Sequence, residues 1–231
     1  MKILKPEAKF FIASTTHELD EFSALAMMKH VERCGRICYK SEGNITEDSY
    51  KKFLANLIKR GHESVIEHAS VTAIVTVDRG VTHEIVRHRI ASYSQESTRY
   101  CNYSNGKFGG EVSFIDLRGS MELDPAVNQL PHDTKQMIFD EWFDACIESQ
   151  QHYDNMLELG ATPQIARSVL NNSVKADIVM TMNLREWRHF FRLRCSPAAH
   201  PAMREAAIPM LDEMYRLMPP IFEDIYQEVH A

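Results

Sequence analysis

The sequence predicts an α+β fold built as one domain over residues 1–231. Three observations predict it. Helical hydrophobic spacing dominates the chain. The strand-like runs are few, and they fall among the helices without the regular alternation of a βαβ array. No internal repeat, Ser/Gly linker or long run of one charge divides the 231 residues. Hydrophobic residues make up 44% and charged residues 25%, an ordinary globular balance. A chain of this length can bury a core without staples.

The elements follow in order. Lys9 to Ala13 is short and apolar and reads as a strand. Ser14, Thr15 and Thr16 offer helix caps, and a helical pattern runs from about Glu18 to Cys34. Thr46 is the next expected N-cap. Phe53, Leu54, Leu57 and Ile58 then recur at helical spacing, and Gly61 stands where a C-cap glycine belongs. Residues 71–77 read as a strand, and Asp78-Arg79-Gly80 as a turn. Val81 to Arg89 reads as a helix, followed by a polar crossing segment from Ala91 to Thr98. Tyr100 to Ser104 and Val112 to Leu117 are strand candidates around a Gly109-Gly110 turn. A long helix is expected from Thr134 to Leu159, stopped by Gly160, and Thr162-Pro163 opens another. Val174 to Met182 is strand-like. Asn183 with Glu186 three residues on follows the logic of a capping box for the helix from Leu184. Met203 to Met218 is helical, Pro219-Pro220 breaks it, and Ile221 to Val229 forms a last amphipathic helix.

Composition removes several function classes. Lys plus Arg number 26 and Asp plus Glu 32, a net charge of −6. A general nucleic-acid or anionic-membrane binder needs a basic surplus. The opening residues carry charge and no apolar run, and no stretch approaches a membrane span, so a cytoplasmic protein is expected. Five cysteines without Cys-x-x-Cys then read as reduced thiols. Neither Gly-x-Gly-x-x-Gly nor Gly-x-x-x-x-Gly-Lys is present. Any bound phosphate must therefore be held by side chains, which means arginine. His62, Glu63, Glu67 and His68 miss both zinc-helix spacings, because Ile66 and Ser64 stand where histidine is required. A cap and hydrogen-bonding loop between helix and strand is the expected role, and no metal site is expected.

Two constellations carry chemistry. Within residues 87–99 lie Arg87, His88, Arg89, Ser92, Ser94, Gln95, Ser97, Thr98 and Arg99. Guanidinium forks and hydroxyls together suit a phosphorylated small molecule, although composition alone also fits a solvated loop. The second runs from Asn183 to Arg194. Leu184, Trp187 and Phe191 share one helical face, while Arg185, Arg188, His189 and Arg192 form a stripe expected to be solvated. Arg194 falls on the apolar side. Either the helix frays before it, or it pairs with an internal carboxylate, or it faces an anionic ligand. Arg167, alone in an apolar helical segment, reads by itself as a surface or ion-pair residue.

The first run resembles the signature of the flavin-dependent thymidylate synthases, the ThyX family. That signature is Arg-His-Arg, two residues, Ser, four residues, Ser, one residue, Arg, and Arg87, His88, Arg89, Ser92, Ser97 and Arg99 meet every fixed position. Gly61-His62-Glu63-Ser64 resembles the family's upstream segment, and Arg167, Asn183 to Arg185, His189 and Arg194 fall in order behind it. The resemblance spans about residues 15–225. It implies a mixed sheet flanked by helices and a homotetramer with active sites between subunits. It also implies methylation of deoxyuridylate (dUMP) to thymidylate, with methylenetetrahydrofolate giving the carbon, NADPH the electrons and FAD carrying them, without a cysteine nucleophile.

Carried over residue by residue, the resemblance implies that Ser64, Arg87, His88, Arg89, Gln95, Asn183, Arg185 and His189 contact FAD. It implies that Glu84, Arg87, Gln95, Glu96, Ser97, Thr98, Arg99, Arg167 and Arg194 hold dUMP, with Ser97 and Arg99 at the phosphate. Arg194 is the expected catalytic residue, facing the uracil ring, and His62 is expected near flavin and folate. Gln95 stands where some members have Glu, and His189 where some have Asn. Both can still donate hydrogen bonds. Weaker rivals are an arginine-rich nucleic-acid module and a metal-dependent hydrolase at His62 and His68.

Overall fold

The computed structural model describes residues 1–100, 102–103 and 110–231. Its main sheet has four strands in the order β2-β3-β6-β4, where β2 is Glu7–Ile12, β3 Ser70–Asp78, β4 Ser92–Gln95 and β6 Lys175–Asn183. Every pairing in it is antiparallel, with Ala73 facing Phe10 on one side and Met180 on the other. Among the described residues, parallel pairing occurs only in a separate ribbon of β1 (Lys2–Leu4) and β5 (Ser113–Ile115).

Alternation decides which face of the sheet is buried. Val71, Ala73, Val75 and Val77 on β3, with Ala176, Ile178, Met180 and Met182 on β6, are all buried. Most of the intervening residues are polar, and two pairs bond across the strands, Thr72 to Thr181 at 2.8 Å and Thr76 to Asp177 at 2.7 Å, with Ile74 facing Val179 between them. The buried face is continuous with a core that takes in α1 (Glu21–Tyr39), α2 (Ser49–Lys59), α8 (Leu184–Arg194), α9 (Pro201–Leu217) and α10 (Pro219–His230). A second apolar cluster joins β5 to α6 (His132–Glu158), which follows the short helices α4 (Arg118–Leu123) and α5 (Pro125–Asn128), through Phe114, Cys146 and Tyr153.

Local chemistry moves several boundaries from their expected places. The first helix begins at Glu21, because Asp20 and Ser23 form a reciprocal capping box, while Ser14 turns the chain at positive φ. Thr46 does not cap α2. Ser49 Oγ takes the Thr46 N–H, and the cap position is Asp48. Gly61 does end α2, at φ 69°, with the His62 N–H returning to Leu57 O.

The next helix, α3, is Arg79–Ile85 rather than 81–89. Asp78 Oδ1 accepts the Val81 N–H at 2.7 Å and starts it early. Tyr93 stops it, with its hydroxyl 2.9 Å from Ile85 O and 2.8 Å from His88 O. The polar run after it is not all crossing segment, since residues 92–95 form β4. Of the strand expected over 100–104, Cys101 and Ser104 lie outside the described residues, as does Gly109. The remaining expected elements stand within a few residues of their places, with α7 (Pro163–Ala166) short and continued as a 3₁₀ turn.

Candidate active site

The site is built where α3, β4 and α8 meet. Asn183 Oδ1 accepts the Glu186 N–H at 2.9 Å and starts α8. Trp187, fully buried, stacks on Phe191 and donates its indole N–H to Val71 O at 3.1 Å, which anchors the helix to β3. The helix persists to Arg194, so the guanidinium is carried over α3. Arg194 Nη1 donates to Glu84 Oε2 at 3.0 Å, Nη2 to Glu84 O at 2.8 Å, and Nε to His88 Nε2 at 3.0 Å. A partly exposed carboxylate, not a core one, thus meets the apolar-side arginine. Three of the five N–H donors of the side chain are used. The others have no protein partner among the described residues.

His88 is buried, between Phe190 at 5.0 Å and His189 at 5.5 Å. Its pKa is lowered to about 4, by burial first and then by the charges of Arg194 and His189. The ring is therefore neutral at pH 7. Since Arg194 can only donate, Nε2 is the bare nitrogen, and the proton sits on Nδ1, 3.3 Å from Glu186 Oε1. Burial raises the Glu186 carboxyl above its ordinary range. His88, Glu186 and His189 also form the one candidate metal trio among the described residues, with ligand atoms within 4.8 Å. A guanidinium already bonded to His88 opposes a cation there.

A second group lies along β4 and the segment after it. Gln95 Nε2 donates to Thr82 Oγ1 at 3.0 Å, and Arg167 Nη1 donates to Thr98 Oγ1 at 2.9 Å. Glu96 is fully engaged, accepting from Tyr103 Oη at 3.1 Å, Lys175 Nζ at 2.9 Å and the Asp177 N–H at 3.2 Å. Its carboxylate ties the residues beside Ser97 to β6. Arg87 and Arg89 are exposed and have no carboxylate partner among the described residues. Arg99 is exposed too, with its guanidinium over Tyr100 at 5.4 Å.

A third group is the 3₁₀ segment Glu63–His68. The His62-to-His68 run is the helix-to-strand loop expected of it. Arg185 pairs with Glu67 at 2.6 Å, His62 Nδ1 lies 2.8 Å from Tyr39 Oη, and Ser64 is exposed beside them. Arg188 corrects the expected solvated stripe, for its side chain is 0% exposed. It holds Asp224 on α10 through two bonds of 2.7 Å and Glu63 at 3.2 Å. Periodicity could not find this, because Arg188 lies under α10, an element remote in sequence. Glu186 was missed for a related reason, having a sufficient local role as a cap partner.

Buried thiols are poor nucleophiles here. Burial pushes Cys195 up to about 12 and raises Cys146 as well. A cavity of about 270 Å³ opens beside Glu84, lined also by Asp78, Asp116, Ser120 and His200. A larger one, about 1060 Å³, lies along the start of α1 and includes none of Glu84, His88 or Arg194.

The fold and the site define an α+β protein that presents exposed side-chain guanidinium groups and has no glycine-rich phosphate loop. The chain belongs to the family described as thymidylate synthase complementing protein (Thy1), whose model matches residues 24–220. A flavin-dependent thymidylate synthase of Geobacter sulfurreducens is 33% identical over 224 residues, covering 92% of this chain and 85% of the relative. Another, of Mycobacterium sp. (strain JLS), is 36% identical, covering 84% of this chain and 78% of the relative. Among solved structures, the UMP/dUMP methylase PolB from Streptomyces cacaoi, bound with 5-Br dUMP, superposes with a TM-score of 0.72 over 96% of both chains. At 24% identity that likeness speaks for the fold. Among the described residues, no helix is long and apolar enough to cross a membrane.

Proposed function

We propose that the protein is a flavin-dependent thymidylate synthase that converts dUMP to dTMP, with methylenetetrahydrofolate as carbon donor and NADPH as reductant. The observation that carries this is the guanidinium set in and behind the signature run. Arg87, Arg89 and Arg99 lack carboxylate partners among the described residues, and Arg194 keeps donors unspent after binding Glu84 and His88. Unspent guanidinium forks fit phosphate oxygens bidentately.

The residues fit FAD. Its pyrophosphate needs the forks that Arg87 and Arg89 offer, and Ser64, Gln95, Asn183, Arg185 and His189 supply further polar groups. When bound, FAD supplies the capacity to carry reducing equivalents from NADPH. The chain does the rest. Ser97, Arg99 and the Thr98–Arg167 pair hold the dUMP phosphate. Arg194 faces the uracil ring and stabilises negative charge as N3 ionises, which raises nucleophilicity at C5. Glu84 holds Arg194 in place, Gln95 serves both nucleotides, and His62 borders the folate position. No thiol is required, in keeping with the high pKa of Cys195. Residues 1–231 act as one domain, in a cytoplasmic homotetramer whose active sites lie between subunits. That arrangement accounts for the exposure of Arg87 and Arg89 on a single chain.

The test is the visible absorption spectrum of the purified protein before and after adding dUMP. Flavin bands that shift with the nucleotide support the reading, and a protein that binds no FAD on titration overturns it. Ser97→Ala refines the phosphate assignment. Loss of a hydrogen bond to a charged group costs about 1.5–3 kcal/mol, so KM for dUMP should rise on the order of 10–100-fold, with kcat at saturation little changed. Collapse of kcat at saturating dUMP would remove Ser97 from the phosphate.

A further inference from the structure

We propose that Glu186 is a positioning residue that fixes the tautomer of His88 and, through it, the orientation of Arg194. This rests on the reading of Arg194 as the group that faces the uracil ring.

The first argument is a departure from local rule. Asn183 and Glu186 have the spacing of a capping box, in which each side chain bonds the other's backbone N–H. Here only the forward bond is made, from the Glu186 N–H to Asn183 Oδ1. The carboxylate of Glu186 is turned away from the cap and lies 3.3 Å from His88 Nδ1. A residue that gives up a local bond for a distant one is serving the distant site.

The second argument is donor accounting. Neutral imidazole carries one N–H and one acceptor nitrogen. Arg194 Nε, a donor in every state, lies 3.0 Å from His88 Nε2. That bond exists only in the Nδ1–H tautomer, and an acceptor at Nδ1 is what selects it. Glu186 is that acceptor, and both it and the His88 ring are buried. The ring cannot tumble to compensate, because Phe190 and His189 pack against it. Without the carboxylate the proton can settle on Nε2, where it meets the Arg194 N–H donor to donor. Arg194 then loses one of its two anchors and keeps only Glu84.

The carboxylate and the imidazole thus form a short relay that starts at the beginning of α8 and ends on the arginine at its C-terminal end. It aligns a cation without adding charge at the ligand side. Without it the guanidinium is held only on the edge that faces Glu84, through Nη1 and Nη2.

The test is ring ¹⁵N NMR of histidine-labelled protein at pH 7, with the His88 signals assigned by their loss in His88→Asn. Wild-type protein should show Nδ1 protonated and Nε2 bare. Glu186→Leu should populate the Nε2–H form and lower kcat on the order of 10²-fold, the scale of a small misplacement of a catalytic group, with KM for dUMP within about 3-fold. Glu186→Gln, whose amide oxygen still accepts from Nδ1–H, should restore most of kcat. An Nε2–H ring in the wild-type protein overturns the proposal even if the leucine variant fails to fold. So does a folded Glu186→Leu protein that keeps the Nδ1–H form, or one that changes tautomer and keeps full kcat. A wild-type protein that does not methylate dUMP overturns the proposed function instead, and the NMR result still decides the pairing of Glu186 with His88.

Discussion

Arg194→Ala should reduce methylation of dUMP on the order of 10²–10³-fold in kcat, the usual loss when one preorganised donor to a developing charge is removed. Flavin binding should survive, read as retained flavin bands in the visible spectrum, because, of the expected flavin contacts Ser64, Arg87, His88, Arg89, Gln95, Asn183, Arg185 and His189, only His88 bonds Arg194. The fold should survive too. The Arg194 and Glu84 side chains are 17% and 32% exposed, so water reaches the carboxylate that loses its partner. A second readout ties the effect to this geometry. The charge of Arg194 is one of the causes holding His88 near 4, after burial, so the His88 pKa should rise in the variant. Arg194→Lys should rescue little. A lysine presents one ammonium and cannot bind Glu84 and His88 on two edges at once. Retained full activity in Arg194→Ala would remove the residue from the mechanism.

What the sequence reveals about this site, and what it hides, divides along a physical line. Local rules are visible. Gly61 at positive φ, Pro163 opening α7, the Asn183 cap and the alternating Val71 to Val77 strand each depend on a few neighbouring residues. The location of Arg194 on an apolar face is visible as well, because it needs only the 3.6-residue period. Its partner is not, since Glu84 comes from a different helix and no spacing rule connects residues 84 and 194. The start of α3 at Arg79 was legible in Asp78, but the apolar pattern beginning at Val81 outweighed the cap. Strand β4 was hidden because Ser92, Tyr93, Ser94 and Gln95 carry no aliphatic alternation. Their strand conformation is imposed by pairing with β6, which is itself formed by residues 175–183.

Arg188→Ala should be strongly destabilising, costing about 2–3 kcal/mol in denaturant unfolding, because a wholly buried side chain loses its packing together with its charge-assisted bonds, while water reaches the 45%-exposed Asp224 carboxylate left behind. The side chain is wholly buried and carries a bidentate bond to Asp224, a bond to Glu63 and one to Ile221 O. Burial alone would push the Asp224 carboxyl up, but the bond and charge of Arg188, aided by Arg192, hold it below the ordinary range. Removing Arg188 therefore leaves the largely buried Glu63 carboxylate and the half-exposed Asp224 carboxylate without this partner. Arg192 provides the control. It reaches the same two carboxylates at 3.5 and 3.2 Å but is 41% exposed, so Arg192→Ala should cost less than about 1 kcal/mol. Replacing both ends, Arg188→Met with Asp224→Leu, should cost less than Arg188→Ala alone, because the orphaned charge goes with its partner. The effect should reach the site as well. Arg188 is the buried polar tie between α8, α10 and the segment after His62, so removing it loosens the helix that carries Arg185, His189 and Arg194. Methylation should fall together with stability in Arg188→Ala and not in Arg192→Ala. Unfolding of Arg188→Ala within about 1 kcal/mol of wild type would show that the buried guanidinium does not hold these elements together.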